Sequence, residues 1–253
     1  MTATGSFDFI DRVALVTGAG RGVGEAIAHE LFAGGARVAV SDVNLDDAQA
    51  VARALDPGCE MAIAMALDVR RKDHFDAARE QLAATWGRID IVVNNAGYAK
   101  RTPVAEITPE EFDEIVAINM RSVFLSCQAF ADTMRAQGYG RIVNITSLGG
   151  QNGGTVASAH YAAAKAGAIM LTKYFAQQLA GSGVTVNAIA PGPLSTAKLR
   201  LSAEQIASIE QRVPIGRFGE ASEIAAAVAL LASDRGGFFV GATLDMNGGL
   251  YVR

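Results

Sequence analysis

The sequence predicts a doubly wound α/β fold, a Rossmann-type domain in which helices cover both faces of one parallel sheet. Two observations support this prediction. Short β-branched runs alternate with longer Ala-rich segments along the whole chain. The short runs are also almost continuously apolar, which is typical of parallel strands buried on both faces. We therefore expect right-handed strand–helix–strand connections and one domain over residues 1–253, with nucleotide binding in its N-terminal half and catalysis in its C-terminal half.

Seven predicted strands follow one another along the chain. They cover residues 12–17, 37–41, 61–67, 89–93, 141–146, 184–190 and 242–245, and the last run has the weakest pattern. Six predicted helices lie between them, with apolar residues at helical spacing. They cover residues 22–33, 45–55, 72–86, 109–137, 158–180 and 222–232. The helix at 109–137 has a clear start signal, because Thr108 occupies the cap position and Pro109 the first helical position.

One connection breaks this alternation. Residues 191–214 form a long segment with only a weak helical pattern at 203–211. Loops of this length in a compact domain are usually lids or binding loops. We therefore expect this segment to cover a site.

The composition excludes several classes of protein. Charged residues make up 19% of the chain and hydrophobic residues 50%, unlike disordered chains. The formal net charge of -4 offers no footprint for nucleic acid. The longest apolar run, 224–232, is too short for a bilayer, which takes about 20 residues, so we expect no membrane partner. The two cysteines fit no metal or disulfide pattern and the N-terminus resembles no signal peptide, so we expect no metal and a cytoplasmic location.

A glycine-rich loop follows the first predicted strand and leads directly into the first helix. Its glycines are Gly18, Gly22 and Gly24. Glycines at such spacing permit a tight turn, close approach of the backbone to a pyrophosphate, and close packing of the helix on the strand. The helix N-terminus adds unpaired N–H groups and the positive end of its dipole. The loop therefore predicts a dinucleotide site.

An acid ends the second predicted strand and favours NAD as the dinucleotide. Asp42 lies about 20 residues beyond the loop, where a carboxylate accepts hydrogen bonds from the adenosine ribose hydroxyls. The same carboxylate would repel the 2′-phosphate of NADP. Arg21, inside the loop, could instead meet that phosphate, so NADP remains the less favoured alternative.

Polar residues at later strand ends point to catalysis. Tyr161 and Lys165 are four residues apart, which places them on one helix face. Ser147 follows the fifth strand, and Asn119 lies within the fourth predicted helix. The fourth strand runs into the sequence Asn-Asn-Ala-Gly at 94–97.

These motifs together resemble the short-chain dehydrogenase/reductase family over nearly the whole chain. The matching segments are the glycine loop at 17–24, Asp68-Val69, Asn-Asn-Ala-Gly at 94–97, Ser147, Tyr161 to Lys165, Pro191-Gly192 and the run at 214–219. The resemblance implies that Tyr161 exchanges a proton with the substrate oxygen, which Ser147 binds. It implies that Lys165 holds the nicotinamide ribose and lowers the pKa of Tyr161. Asn119 would order a water in the proton relay.

The resemblance also implies the remaining contacts. Asp68 would meet the adenine amino group, Val69 would line the ring and Asn95 would lie along the cofactor. The complete set of expected cofactor-binding residues is Gly18, Arg21, Gly22, Val23, Gly24, Asp42, Asp68, Val69, Asn95, Ala96, Gly97, Tyr161, Lys165, Pro191 and Gly192. Ser147 and Tyr161 are the expected substrate contacts, with Gln151 as a further candidate.

The reaction expected from these residues is NAD-dependent interconversion of a secondary alcohol and a ketone. The first alternative is a 3-oxoacyl-thioester reductase acting on a carrier protein or coenzyme A. Within the family that activity usually implies NADPH and basic residues at the mouth of the site, whereas Asp42, Gly138 and Gln177 stand in this chain. A nucleotide-binding sensor is a remote alternative, because such members commonly lose the Ser, Tyr or Lys.

Family resemblance implies a homotetramer. One interface would use the helices at 109–137 and 158–180, and the other the helix at 222–232 with the strand at 242–245. Three charged or titratable residues near the site have open roles. His160 is expected at the pocket rim or an interface, and Lys100 and Arg101 either in a solvated loop or against an acidic substrate.

Overall fold

The computed structural model describes residues 7–153, 158–196 and 201–253. Seven parallel strands form the central sheet, in the spatial order β3-β2-β1-β4-β5-β6-β9. These strands are β1 Val13–Thr17, β2 Arg37–Asp42, β3 Ala62–Ala66, β4 Ile91–Asn94, β5 Gly140–Ile145, β6 Val184–Pro191 and β9 Thr243–Met246. Strands β7 Leu194–Ser195 and β8 Gly219–Glu220 pair separately in a two-stranded parallel sheet. The predicted doubly wound sheet is confirmed.

Helices connect the strands and cover both faces of the sheet. They are α1 Gly22–Ala33, α2 Leu45–Leu55, α3 Lys72–Trp86, α4 Pro109–Val116, α5 Ser122–Gln137, α6 Gly149–Asn152, α7 Ala159–Leu179, α8 Ala203–Glu210 and α9 Ala221–Ala232. Short 3-10 turns occur at Val104–Glu106 and Asp234–Gly236. In the described residues, no helix is both long and apolar enough to cross a membrane.

Two apolar cores lie on opposite faces of the sheet because successive strand residues point to opposite sides. Ala14 and Val16 of β1 pack with α1, α2 and α9. Val13 and Leu15 of the same strand pack with α3, α5 and α7. This double burial explains the nearly continuous apolar strands in the sequence.

The strand order places a crevice at the carboxyl end of the sheet. Strand β1 pairs with β2 on one side and with β4 on the other, so the connections diverge between β1 and β4. In open α/β sheets, ligands bind where the strand order reverses in this way. The glycine loop follows β1 and residues 94–97 follow β4, so the two predicted motifs face each other across this point.

The structure corrects the prediction of one helix over residues 109–137. A π-helical turn, Ala117–Arg121, separates α4 from α5. The apolar periodicity continues through this turn, so the sequence carried no local signal for it. In the long connection at 191–214, the helix α8 is confirmed. The pairing of β7 with β8 was not foreseen, and residues 197–200 lie outside the described part of the chain.

Candidate active site

A cavity of about 530 Å³ occupies the crevice between β1 and β4. Residues predicted to bind the cofactor line it from loops after four different strands. They are Gly18, Arg21, Gly22, Val23, Gly24, Asp42, Asp68, Val69, Asn95, Ala96 and Gly97. The structure therefore brings together residues that are as much as 79 positions apart in the chain.

The glycine loop depends on the absence of side chains at two positions. Gly18 has a φ of +62°, in the left-handed region that favours glycine. A Cβ at Gly24 would lie 2.4 Å from the Gly18 carbonyl oxygen and 2.5 Å from the Asn95 amide nitrogen. The start of α1 thus packs directly against the loop and presents its N-terminus to the cavity. That arrangement suits a phosphate group.

Thr17 joins the two motifs, a role that the sequence reasoning missed. Its hydroxyl oxygen accepts hydrogen bonds from the backbone N–H groups of Asn95 and Ala96, both at 3.1 Å. The Asn95 side-chain amide donates in return to the carbonyls of Thr17 at 2.9 Å and Gly18 at 3.0 Å. Asn95 therefore fixes the loop geometry, and its amide donors are already satisfied by protein.

Asp42 is held at the cavity by backbone groups. Its carboxylate accepts from the N–H of Gly20 and from the N–H of Asn44, each at 3.1 Å. The side chain lines the cavity although the residue is largely buried. Arg21 is 3.9 Å from Asp47 and well exposed, so its guanidinium lies near an acid of α2. The arrangement leaves Asp42 as the fixed charge at this end of the cavity.

Arg70 is a second residue that sequence reasoning missed. Its guanidinium donates to both carboxylate oxygens of Asp68, with Nε–Oδ1 at 2.9 Å and Nη2–Oδ2 at 2.6 Å. This ion pair lowers the pKa of Asp68. The other unforeseen residues that line the cavity are Val43, Leu67, Tyr98, Glu114, Ile118 and Thr196. In the sequence, these residues share only a position shortly after a strand or, for Glu114 and Ile118, in α4 and the π-helical turn.

Tyr161 and Ser147 meet at the carboxyl end of β5. A hydrogen bond from Ser147 tends to lower the pKa of Tyr161, but burial acts more strongly and raises it. The net direction is opposite to the shift expected from Lys165. Both the phenolate and the ammonium lose solvation when they are buried, so the charged forms of both groups are disfavoured.

Lys165 is a buried cation. Only 4% of the residue is exposed, and its Nζ donates to the Ile145 carbonyl oxygen at 2.8 Å. Burial lowers the pKa of Lys165 to about 8. Its Nζ lies 5.7 Å from the centroid of the Tyr161 ring. Lys165 thus stands next to the tyrosine, as their spacing in the sequence predicts.

Asn119 lies in the π-helical turn and points toward the same place. Its amide nitrogen donates to the carbonyls of Tyr98 at 2.8 Å and Ile115 at 3.0 Å. A Cβ built on Gly97 would be 3.1 Å from Asn119 Oδ1 and 3.3 Å from Lys165 Nζ. Gly97 therefore marks where Asn119 and Lys165 converge beside the cavity.

The predicted site residues outside the set that lines the cavity are Asn119, Ser147, Tyr161 and Lys165, described above, and Gln151, Pro191 and Gly192. Gln151 donates its amide hydrogen to Asp245 at 2.6 Å, so its nitrogen is engaged with β9. The Pro191 carbonyl accepts from Leu148, and the Gly192 N–H donates to Met246 at 2.9 Å. A role for Gln151 in binding substrate, and roles for Pro191 and Gly192 in binding cofactor, stay predictions. Within the described residues, no group of three His, Cys, Asp or Glu side chains could hold a metal ion.

Comparison with known proteins identifies the class of protein. A family model described as enoyl-(acyl carrier protein) reductase matches residues 18–251. The chain therefore belongs to the short-chain dehydrogenase/reductase family of oxidoreductases.

Two groups of relatives resemble the chain over almost its full length. The 3-oxoacyl-(acyl-carrier-protein) reductase FabG of Escherichia coli (strain K12) is 41% identical over 97% of this chain and 99% of the relative. The enzyme of the same name from Haemophilus influenzae is 40% identical over 95% of this chain and 98% of the relative. The acetoacetyl-CoA reductase of Rhizobium meliloti is 39% identical over 96% of this chain and 99% of the relative.

The chain is accordingly an oxidoreductase that uses a nicotinamide cofactor and acts on a small-molecule substrate. The site fits such a cofactor on independent grounds. A Cβ at Gly18 or at Gly24 would clash with neighbouring atoms, so neither position can carry a side chain. The backbone of the loop is therefore accessible to a phosphate. The carboxylate of Asp42 lines the same cavity.

Proposed function

We propose that the chain is an NAD-preferring oxidoreductase that interconverts a secondary alcohol and a ketone. The observation that carries this proposal is the convergence of Ser147, Tyr161 and Lys165 beside a cavity that is shaped by a phosphate-binding loop. Without the catalytic side chains, the cavity would suit a nucleotide-binding sensor equally well. Their presence favours an enzyme.

In the proposed mechanism, Tyr161 exchanges a proton between its phenolic oxygen and the substrate oxygen. Ser147 donates a hydrogen bond to the same oxygen and orients it. Lys165 binds the ribose hydroxyls through Nζ, which now donates to the Ile145 carbonyl. The amide nitrogen of Asn119 is fixed by two carbonyls, and its oxygen accepts the Tyr98 N–H at 3.3 Å. The second lone pair of that oxygen would order a water behind Lys165. A nicotinamide ring bound in the cavity would supply or accept the hydride.

The preference for NAD rests on Asp42. Its carboxylate is fixed by the N–H groups of Gly20 and Asn44, so it cannot turn away without losing two hydrogen bonds. A ribose hydroxyl would donate to it, whereas a 2′-phosphate would place negative charge against negative charge. Arg21, which lies near Asp47, could compensate only by leaving that acid.

A 3-oxoacyl thioester is a second candidate substrate, and the relatives supply the reason. The names of the E. coli and R. meliloti relatives both describe reduction of a 3-oxoacyl thioester. A thioester ketone is a ketone of the class that the proposed mechanism reduces. The sequence set the uncharged Gly138 and Gln177 against this candidate, but they do not decide it. Gly138 precedes β5 and Gln177 lies in the last turn of α7, so both lie at the amino end of the sheet, away from the cavity.

Initial rates distinguish these possibilities. Acetoacetyl-CoA, the same acyl group on a carrier protein, and a panel of simple ketones would each be reduced with NADH and with NADPH. We expect NADH to give the higher kcat/KM throughout, and acetoacetyl-CoA to exceed the simple ketones if the thioester candidate is right. Turnover with NADPH alone would overturn the NAD proposal. No turnover of any ketone would favour the sensor.

We also propose a homotetramer in the cytoplasm. Apolar side chains on the relevant helices are exposed in the single chain, among them Phe124 of α5 and Met170 and Tyr174 of α7. Phe238, near β9, is fully exposed. Multi-angle light scattering at micromolar concentration is expected to give four times the chain mass, and a monomer would contradict the proposal. The unbridged state of Cys59 and Cys127 suits a reducing compartment.

A further inference from the structure

A polar cluster beside Tyr161 joins three segments through side chains to which the proposed mechanism gives no role. Its members are Lys100, Thr102, Glu111 and His160, from the loop after β4, from α4 and from the first turn of α7. We propose that Glu111 is a positioning residue for Tyr161 and acts through His160. This inference rests on the proposed role of Tyr161 as the proton donor and acceptor.

Glu111 is the centre of the cluster. Its side chain is 11% exposed, and it receives hydrogen bonds from the Lys100 ammonium, from the Thr102 side chain and from His160 Nε2 at 3.0 Å. These donors hold the pKa of Glu111 at about 2. The carboxylate is therefore ionised throughout the working range of the enzyme. One charged group thus connects a loop, α4 and α7.

His160 links this carboxylate to the catalytic tyrosine. The imidazole is completely buried, and its Nδ1 accepts the backbone N–H of Tyr161 at 3.0 Å. Since Nδ1 accepts, Nε2 must carry the proton that is donated to Glu111, which assigns the tautomer from the network. The pocket-rim or interface position expected for His160 is therefore replaced by a buried one. The histidine ring connects Glu111 to the backbone of Tyr161.

The first turn of α7 needs such external support. The side chain of its N-cap residue, Ser158, makes no cap hydrogen bond, although the Ser158 carbonyl accepts the Tyr161 N–H at 3.1 Å. Instead, the Ser158 hydroxyl donates to the Lys100 carbonyl at 2.7 Å and accepts from the Thr102 N–H at 2.8 Å. Both connections lead back to the loop that Glu111 holds. The turn that carries Tyr161 is consequently anchored through the cluster rather than by its own cap.

Lys100 also acquires a role that its sequence position left open. Its ammonium is paired with Glu111, so the charge faces the cluster. Its loop begins at Gly97, where an added Cβ would lie 3.1 Å from Asn119 Oδ1 and 3.3 Å from Lys165 Nζ. A displacement of the loop would therefore move two further groups of the proposed proton path. Misplacement of reacting groups by about 1 Å can cost about 100-fold in rate.

Two replacements of His160 separate positioning from simple packing. In His160→Gln the side-chain nitrogen reaches about as far as Nε2, so a donor to Glu111 is retained. In His160→Asn an oxygen remains at the Nδ1 position, but the side chain is too short to reach Glu111. We expect His160→Asn to lower kcat about 10- to 100-fold with little change in KM for NAD. His160→Gln loses the Nδ1 acceptor, but the Tyr161 N–H still donates to the Ser158 carbonyl at 3.1 Å and residue 160 still ties α7 to Glu111. We therefore expect His160→Gln to retain kcat within about threefold of the original protein.

Glu111→Ala tests the other end of the link, and Asp113→Ala is the matched control. Asp113 is an exposed acid on the same helix. We expect Glu111→Ala to lower kcat as much as His160→Asn, and Asp113→Ala to leave it unchanged. If the two groups act through one link, the double variant Glu111→Ala/His160→Asn should be no slower than either single variant.

The inference is overturned by a normal kcat in His160→Asn or in Glu111→Ala. It is also overturned if His160→Gln and His160→Asn lose activity equally, because reach to Glu111 would then be irrelevant. Thermal unfolding and NAD binding by fluorescence identify a variant that has merely failed to fold, and Glu111→Ala then decides the matter. Tyr161→Phe tests the proposed function separately, so failure of one idea does not conceal failure of the other.

Discussion

The two ends of the sheet differ in the partners that they provide for a buried charged side chain. At the amino end, Asp90 is completely buried and accepts from the Val13 N–H at 2.9 Å and from both arms of Arg88 at 2.6 and 2.7 Å. Arg12 lies 3.6 Å from the same carboxylate. At the carboxyl end, the buried ammonium of Lys165 donates to a neutral carbonyl, and no carboxylate in the described residues forms an ion pair with it.

An aromatic ring at the amino end of the sheet provides a further partner for the charged side chains there. The guanidinium groups of Arg12 and Arg141 lie 3.6 and 4.2 Å from the centroid of the Tyr139 ring, in cation–π geometry. Charges at the amino end are thus compensated several times over, and they stabilise the fold. The uncompensated charge at the carboxyl end costs stability and has a shifted pKa, which is typical of functional sites.

The largest expected effect is the loss of catalysis in Tyr161→Phe. The ring remains, so the fold and NAD affinity should be preserved, while the proton donor disappears. We expect kcat to fall by about 10²–10⁴-fold. Steady-state kinetics with a thermal unfolding control measure this. Near-normal turnover would show that another group carries the proton. The contrast between a stabilising amino end and a catalytic carboxyl end of the sheet would then be wrong.

At the amino end of the sheet, Asp90→Ala should lower the stability of the protein and leave its catalytic rate unchanged. It leaves the Val13 N–H and two guanidinium groups without their buried acceptor. We expect the free energy of unfolding to fall by about 3 kcal/mol, since removal of one partner of a buried pair leaves uncompensated charge. Urea denaturation gives the stability, and kcat of the folded fraction should remain unchanged. A large loss of kcat at full occupancy of the folded state would mean that the two ends are coupled.

Lys165→Met should abolish activity and yet stabilise the protein. Because the pKa of Lys165 falls to about 8 on folding, the unfolded chain binds the proton more tightly. The penalty is therefore complete below pH 8 and disappears as the pH rises toward 10.5. After allowance for the lost hydrogen bond, we expect a gain of about 2 kcal/mol at pH 7. Urea denaturation of both proteins from pH 7 to 10.5 should show this gain shrinking; a constant or negative difference would contradict it.

Asp42→Ala gives the smallest expected effect, because it changes a preference rather than a reaction. The variant removes both an acceptor for the ribose and a charge that opposes the 2′-phosphate. We expect the ratio of kcat/KM for NAD over NADP to narrow by about tenfold, the value of one charge-assisted hydrogen bond. Asp47→Ala, which frees Arg21 but retains Asp42, is a useful control. An unchanged ratio in Asp42→Ala would assign the preference elsewhere.

The sequence predicted the sheet and most of the residues that line the crevice because their signals are local. The apolar runs of the strands are clear in the sequence, and key site residues lie at short distances from their ends. These residues are Gly18 and Gly24 after the first strand and Asp42 at the end of the second. The strand order then brings these residues together. Such features can be read from spacing alone.

The remaining features of the site depend on contacts between distant parts of the chain. Arg70 reads as a solvated loop residue until its pairing with Asp68 is seen. Thr17 and Asn95 exchange hydrogen bonds across 78 positions, and His160 reaches Glu111 across 49 positions. The raised pKa of Tyr161 is opposite to the lowering by Lys165 that the family resemblance implied, because burial removes solvation from the phenolate.

The orientation of the Asn119 side chain, in the π-helical turn, is fixed before any ligand binds. A π turn shifts backbone hydrogen bonds to the fifth preceding carbonyl, and here the Asn119 amide occupies the carbonyl of Ile115, four residues back. Its oxygen meanwhile accepts the Tyr98 N–H at 3.3 Å, so backbone groups on two elements determine which way the amide faces. The rotational freedom of this side chain is lost when the protein folds, not when a ligand arrives. Ligand binding at this position therefore requires no further loss of side-chain entropy.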